Sequence, residues 1–276
     1  MSTPISHRCF APLQKRGNLG KSILVTALGQ YLTQRRVDWV GYDLDGDHRS
    51  FSRLLPDFVT LRDLTGEEPE SEIIKISRNC TANPVTLIDP RAHIAPVILR
   101  GWGMIQFVAN FAKDGGRVTV PLFIGDDLEI LTDVDGLVSH LGNTVDYVVV
   151  RNPARQPRTK MFDGSALEAD LHALGAVALE IPVLLSFARN HLAALEVTLD
   201  RGVSPVEAVA NPELPLDGMV RLIIEDWLRV LFRRFDLIAD KLMPDNYAAK
   251  IKPVDAEIPV KAPLITRGAK LNLTNL

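Results

Sequence analysis

Short apolar runs alternate with stretches whose apolar residues recur at helical spacing over roughly the first two thirds of the chain. The short runs predict strands and the periodic stretches predict helices. The predicted strands are 9–13, 37–42, 58–61, 84–88, 118–124, 145–150 and 177–182. The predicted helices are 23–36, 73–76, 95–111, 127–141 and 164–175. Because right-handed crossovers cover both faces of a sheet, this order predicts an α/β fold with a mostly parallel sheet and helices on both faces.

The alternation stops after residue 185, which suggests a division of the chain into three parts. Residues 1–185 would form the α/β domain and residues 186–242 a helical part packed on the same domain. Residues 243–276, rich in Pro, Asn and Lys, would form a loosely ordered tail.

The predicted helix 218–242 has one apolar face and one basic face. The basic face comprises Arg221, Arg229, Arg233 and Arg234. Such a helix either faces DNA or a partner, or is a surface helix docked on the sheet, and its pattern alone leaves both readings open.

The segment Lys15–Ser22, between the first strand and the first helix, has the order required of a phosphate-binding loop. Glycines let successive N–H groups face a phosphate, and the positive end of the helix dipole adds to the attraction. Lys21 would reach the phosphates and Ser22 would bind Mg²⁺. Lys15 stands where the common pattern has Gly, so the alternative is a Gly/Asn turn whose helix begins with Gly-Lys-Ser.

Polar residues follow three of the predicted strands at the edge where parallel α/β sheets bind ligands. Asp43 and Asp45 follow the second strand, where carboxylates can hold a metal ion or orient water. Asp89 ends the 84–88 run and would hold Mg²⁺, and Asn152 would contact a base. The alternatives are an acidic turn, a helix cap and an Asn-Pro turn, respectively.

Composition bears on the expected cellular compartment but does not identify the activity. The chain has 276 residues and a net charge of −3, so its overall charge does not indicate a nucleic-acid-binding protein. Its two cysteines, Cys9 and Cys80, lie in or beside apolar runs and are expected to be reduced core thiols. No apolar leader or run of spanning length is present, so we expect a cytoplasmic protein.

Taken together, these motifs resemble the ParA/MinD group of P-loop ATPases, the SIMIBI class with a deviant Walker A loop, over residues 7–185. Arg16–Ser22 lies on the group's KGGxGK[ST] pattern, Asp43-Leu44-Asp45 on its Asp-x-Asp, and Val85–Asp89 on its Walker B strand. The chain departs from the group where Arg16 replaces the signature lysine, Asn18 replaces the second glycine, and the turn after Asp89 reads Pro-Arg-Ala-His. These departures call fast hydrolysis into question more than nucleotide binding.

The resemblance implies ATP or ADP and Mg²⁺ as cofactors and assigns roles to individual residues. The nucleotide-binding residues would be Lys15, Arg16, Gly17, Asn18, Leu19, Gly20, Lys21, Ser22, Ile23 and Asn152. The metal-binding residues would be Ser22, Asp43 and Asp89, and the catalytic residues Asp45, Asp43 and Arg16. Asp45 would position the attacking water, with Asp43 close by, and Arg16 would act as a finger.

The leading hypothesis is a slowly hydrolysing ATP switch that dimerises around nucleotide and acts in plasmid partition, stability or conjugation. A partner protein of such a system, and salt-dependent DNA contact through the basic helix and Lys250, Lys252, Lys261 and Lys270, are further expectations. One alternative is a partner-binding protein that has lost hydrolysis. Another is a P-loop kinase or ligase acting on a small metabolite, with His48 and Arg49 near its substrate.

Overall fold

Seven parallel strands form the central sheet in a computed structural model that describes residues 4–251. The strands are β1 (His7–Phe10), β2 (Trp39–Asp43), β3 (Val59–Leu61), β4 (Val85–Asp89), β5 (Gly116–Phe123), β6 (Asp146–Arg151) and β7 (Val177–Glu180). Their order across the sheet is β3-β2-β4-β1-β5-β6-β7, and every neighbouring pair is parallel. The predicted α/β fold class is therefore confirmed.

Twelve α-helices connect or follow these strands within residues 4–251. The helices are α1 (Lys21–Gln34), α2 (Ser50–Leu54), α3 (Pro69–Asn79), α4 (Ala95–Met104), α5 (Phe107–Lys113), α6 (Leu128–Leu141), α7 (Ala166–Ala173), α8 (Ser186–Leu199), α9 (Pro205–Ala210), α10 (Gly218–Leu237), α11 (Ala239–Leu242) and α12 (Asp245–Ala248). The predicted helix 95–111 is two helices, because Gln106 has a left-handed backbone (φ 48°) that interrupts it. The predicted helix 218–242 is likewise divided, at Ile238.

Two apolar clusters, one on each face of the sheet, form the core. Alternate strand residues enter opposite clusters: Phe10 and Leu87 face one layer, and Cys9 and Ile88 face the other. The first cluster includes residues of α1, α8, α9 and α10, whereas the second includes residues of α3 to α7. This is the predicted three-layer arrangement, and both cysteines are buried and free as expected.

Side-chain hydrogen bonds join α10 to the sheet and its other neighbours. The Trp227 indole donates to the Pro182 carbonyl at 2.6 Å, and the Tyr31 hydroxyl donates to Asp236 at 2.8 Å. The Arg234 guanidinium donates to the Glu180 carbonyl at 2.6 Å. The helix therefore packs on the same sheet that carries the phosphate-loop segment.

Two of the four arginines on the predicted basic face of the 218–242 helix bind groups of the fold. The guanidinium of Arg221 donates to main-chain carbonyls at the end of α9, at 2.6 Å to Ala208 and 2.7 Å to Asn211. Arg234 is held by Glu180, and the exposed Arg229 pairs with Asp226 on the same helix. Of the two readings that the sequence left open, these contacts favour the helix docked on the sheet, because helix-end carbonyls bind Arg221 and a strand-end residue binds Arg234.

Residues 243–251 continue the folded chain where the sequence predicted the start of a loosely ordered tail. Met243 is fully buried, and Asp245 accepts a hydrogen bond from the Ile5 amide at 2.9 Å. The rest of the predicted tail, with Lys252, Lys261 and Lys270, lies outside the described residues. Within residues 4–251, none of the helices has the length and apolar character needed to cross a membrane.

Candidate functional site

The carboxyl edge of the sheet brings together most of the residues singled out from the sequence. Asp43 and Asp89 end β2 and β4 and lie opposite each other in the strand register. The Leu44 amide donates to the Asp89 carbonyl at 2.9 Å, which holds the two strand ends together. The other strand next to β4 is β1, and the loop that follows β1 leads directly into α1 at Lys21. The predicted convergence of loop and carboxylates at one edge is what the structure shows.

The loop turns into α1 through two residues with positive φ, Asn18 (61°) and Gly20 (100°). Gly20 is the residue before the first turn of α1, and no side chain caps the helix there. The first N–H groups of a helix have no intrahelical partner, and together with the helix dipole they attract anions. The exposed start of α1 thus has the backbone geometry expected of a phosphate-binding loop.

Lys21 points into the loop and is 6% exposed. Its ammonium donates a hydrogen bond of 2.6 Å to the Gln14 carbonyl at the loop's beginning. Burial lowers the pKa of Lys21 to about 8, and the nearby charges of Asp89, Asp133 and Asp45 partly oppose that change. A negatively charged ligand would offset the desolvation of the ammonium.

Asp89 is the most unusual polar group at this edge, since it is 1% exposed and neither carboxylate oxygen has a hydrogen-bond partner of ordinary geometry. Burial raises the pKa of Asp89 to about 7. The Ser22 hydroxyl and the Lys21 charge act in the opposite direction, whereas Asp43 and Asp45 raise the pKa further. A buried carboxylate without partners is costly, so a cation ligand would fit this position.

Mg²⁺ is the cation whose coordination habits suit these residues. It is usually held by one or two protein groups, with waters and substrate phosphates completing its shell. Asp89 and the adjacent hydroxyl of Ser22 supply hard oxygen ligands of that kind. Among residues 4–251, no group of three or more His, Cys, Asp or Glu side chains could hold a metal ion by itself. Asp89 and Ser22 are thus the residues at this edge that could supply oxygen ligands to Mg²⁺.

Asp43 is held by the fold through both of its carboxylate oxygens. It is fully buried, and one oxygen accepts from the Asp45 amide at 3.0 Å. The other accepts from the Ser52 amide and hydroxyl at 2.8 and 2.9 Å. Both oxygens thus hold the segment between β2 and α2, and the predicted metal-binding and catalytic roles of Asp43 stay predictions.

Asp45 remains at the site but is partly committed to its own turn. One carboxylate oxygen accepts from the amides of Asp47 and His48 at 3.1 and 3.2 Å. The charge of Asp45 raises the pKa of both Lys21 and Asp89, which places Asp45 beside the loop. The partly exposed Asp45 thus lies next to Lys21 and Asp89.

Arg16 is paired within its own chain, and its role as a finger stays a prediction. Its guanidinium forms ion pairs with Asp127 at 3.0 Å and with Glu129, both at the start of α6. The Lys15 amide donates to Asp133 on the same helix at 2.7 Å. The beginning of the loop is therefore fastened to α6, because that helix presents carboxylates beside it.

Asn152, the predicted base contact, lies against the backbone of the loop. Its side chain is 4% exposed, and its amide nitrogen donates to the Leu19 carbonyl at 2.8 Å. Sequence reasoning missed Gln14, which is 1% exposed and forms two bonds with Phe123 at the end of β5. The Gln14 amide nitrogen donates to the Phe123 carbonyl at 2.9 Å, and its oxygen accepts from the Phe123 amide at 2.6 Å.

The remaining predicted residues lie at the rim of the site. Ile23, His48 and Arg49 are exposed, and the Arg49 guanidinium donates to the Gly46 carbonyl. In the Pro-Arg-Ala-His turn, the His93 amide donates to the Lys15 carbonyl at 2.9 Å. The sequence departures after Asp89 thus belong to a turn that supports the phosphate-loop segment.

Comparison with known proteins gives structural neighbours but no family assignment. No protein-family model matches the chain, and no curated protein matches it. Two similar solved structures are the MinD cell division protein of Aquifex aeolicus (15% identity, TM-score 0.41) and the MinC:MinD complex of the same organism (14% identity, TM-score 0.44). Each alignment covers 82% of this chain, with 96% and 95% of the other chain, respectively.

A third similar structure is a nucleotide-binding protein from Archaeoglobus fulgidus in complex with ADP. Its sequence is 13% identical and its TM-score is 0.38, and the alignment covers 65% of this chain and 82% of the other chain.

Proposed function

We propose that this protein is an ATP-binding, slowly hydrolysing molecular switch of the ParA/MinD type. The observation that carries the proposal is the pairing of a buried, partner-free Asp89 carboxylate with Lys21 and Ser22 at the start of α1. In the ligand-free fold this arrangement leaves charged groups poorly compensated. Phosphate and Mg²⁺ are the ligands that would compensate both signs of charge at once.

The chain's own residues have distinct tasks in this proposal. The amides at the start of α1 and the ammonium of Lys21 would bind the phosphates, while Ser22 and Asp89 would hold Mg²⁺. The bound metal would neutralise charge that develops on the phosphates. Asp45 would accept a hydrogen bond from the attacking water, using the carboxylate oxygen that its turn leaves free. Arg16, paired with α6, would not assist, which is consistent with slow turnover.

The biological setting is proposed from the sequence resemblance. We infer a homodimer formed around nucleotide, acting with a partner protein in plasmid partition, stability or conjugation. Direct DNA binding has less support than the sequence suggested, since two of the four arginines of the basic face bind main-chain or carboxylate groups of the fold. Arg229 and Arg233, both exposed on α10, are the remaining candidates from that face.

The first experiment measures ATP binding and turnover with Mg²⁺ by calorimetry and phosphate release. Lys21→Ala is expected to abolish detectable binding, whereas Lys113→Ala, which removes an exposed lysine from α5, should bind as the unaltered protein does. Light scattering with ATP and with ADP tests the dimer. ATP binding that survives Lys21→Ala would refute the proposed site.

A second candidate function, a partner-binding protein without hydrolysis, is favoured by one observation. Arg16, the residue at the position of the signature lysine, is held by Asp127 and Glu129 of its own chain. A hydrolysis-deficient protein would bind ATP and show no turnover. Phosphate release that is abolished by Asp45→Ala would exclude this alternative.

A further inference from the structure

We propose that Asn152 is a positioning residue that holds the phosphate-loop segment in its binding conformation, rather than a residue that reads the base. The inference rests on the proposed nucleotide site and assigns a role within it. It starts from one contact: the Asn152 side-chain nitrogen donates to the Leu19 carbonyl at 2.8 Å, across 133 positions of sequence. Both the side chain and Leu19 are buried, so water does not compete for this bond.

The contact determines how the next peptide group is oriented. The carbonyl of Leu19 and the N–H of Gly20 belong to one planar trans peptide and therefore point in opposite directions. Fixing the carbonyl towards Asn152 turns the Gly20 N–H away from it. Gly20 immediately precedes α1, where N–H groups without intrahelical partners would face a phosphate. Asn152 thus acts on the ligand through the orientation of a backbone amide.

Gly20 and Asn152 are also matched in shape. A Cβ atom on Gly20 would lie 2.3 Å from the Asn152 side-chain nitrogen, which is closer than atoms approach. The positive φ of 100° at Gly20 separately favours glycine. The absence of a side chain at residue 20 therefore lets the amide of Asn152 lie directly against the loop backbone.

A second amide side chain holds the other end of the same loop. Gln14 forms two hydrogen bonds with the main chain of Phe123, and its own carbonyl accepts from Lys21. The loop is consequently attached to β5 at its beginning and to the end of β6 near its last residue. This double attachment supports a loop formed before ligand binding, which lowers the ordering cost of binding.

The proposal is tested with two ligands, Mg²⁺–ATP and inorganic tripolyphosphate with Mg²⁺, because the second has no base. Asn152→Ala and the uncharged Asn152→Leu, which is close to Asn in size, both remove the donor to Leu19. Each substitution is expected to weaken the binding of both ligands by the same factor, about fivefold for one lost hydrogen bond. Asn143→Ala is the matched control, since Asn143 is exposed and precedes β6 at the opposite edge of the sheet.

Amide hydrogen exchange of the ligand-free protein provides the second readout. Peptides covering residues 16–22 should exchange faster in Asn152→Ala than in the unaltered protein, and those from α6 should not change. Weaker ATP binding with unchanged tripolyphosphate binding would overturn the proposal and make Asn152 a base contact. Unchanged exchange in the loop would overturn it as well.

The two proposals fail in different ways. If the unaltered protein binds neither ATP nor tripolyphosphate, the proposed function is refuted. The exchange measurement then still decides whether Asn152 holds the loop, because it needs no ligand.

Discussion

Removing the charge of Asp89 is expected to stabilise the ligand-free protein at alkaline pH while abolishing its proposed metal binding. Asp89 is 1% exposed, and neither of its oxygens has a hydrogen-bond partner of ordinary geometry. Burial raises its pKa from 3.8 to about 7. Between these two values the folded protein holds a proton that the unfolded chain has released. The free energy of unfolding therefore falls as pH rises from about 4 to about 7.

The magnitude follows from that difference of about three pH units. Each unit corresponds to about 1.4 kcal/mol, so the ionised carboxylate destabilises the fold by at most about 4 kcal/mol above pH 7. Asn is close to Asp in size and carries no charge, so Asp89→Asn removes this penalty. The pKa of about 7 already includes the opposing attraction to Lys21, whereas the Asn amide is itself a buried polar group at a position without hydrogen-bond partners and keeps part of the penalty. We therefore expect a net gain of about 2 kcal/mol at pH 8.

Urea unfolding followed by tryptophan fluorescence measures this gain, in EDTA and without nucleotide. Profiles at pH 5 and pH 8 should show a variant less sensitive to pH than the unaltered protein, with the largest gain at pH 8. Asp135→Asn is the control, because Asp135 is exposed on α6 and its replacement should have little effect at either pH. A variant that is equally stable or less stable at pH 8 would refute the argument that Asp89 is an uncompensated charge.

Three further predictions concern other parts of the fold. Gly136→Ala, at an exposed position within α6 where an added Cβ meets nothing, should raise the free energy of unfolding by about 0.5–1 kcal/mol; no rise in urea midpoint would contradict this. Arg8→Ala should lower it by about 3 kcal/mol, because it removes a buried guanidinium that binds Thr119, Asp146 and the Asp240 carbonyl, although Arg117 still pairs with Asp146; a loss below 1 kcal/mol would be inconsistent. Arg16→Ala should change thermal stability by less than about 1 kcal/mol, since its ion pairs are largely exposed.

The layers of the fold could be predicted from sequence because they depend on local patterns. Buried parallel strands read as apolar runs, and the crossover rule then places helices on both faces. The helix break at Gln106 could not be foreseen in this way. Apolar periodicity continues across it, and the left-handed backbone of one residue carries no sequence signal when that residue is glutamine.

At the candidate site, sequence reasoning located residues better than it assigned their contacts. Lys21, Ser22 and Asp89 follow from a loop motif and a strand end. Gln14 had no signal, because a glutamine before a loop belongs to no pattern and its partner Phe123 lies 109 positions away. The pairing of Arg16 with α6 had no signal either, because it depends on tertiary packing. Contacts of this separation are properties of the folded chain.

Asp43 and Asp89 show how the protein environment gives two chemically identical groups different properties. They end neighbouring strands at the same register, and a motif alone treats them alike. The structure gives Asp43 three hydrogen-bond donors and Asp89 none of ordinary geometry. Buried carboxylates that serve only the fold are normally satisfied, as Asp43 is. An unsatisfied one lowers stability until a cation compensates it, which is the physical reason why the proposed function assigns the metal to Asp89 rather than to Asp43.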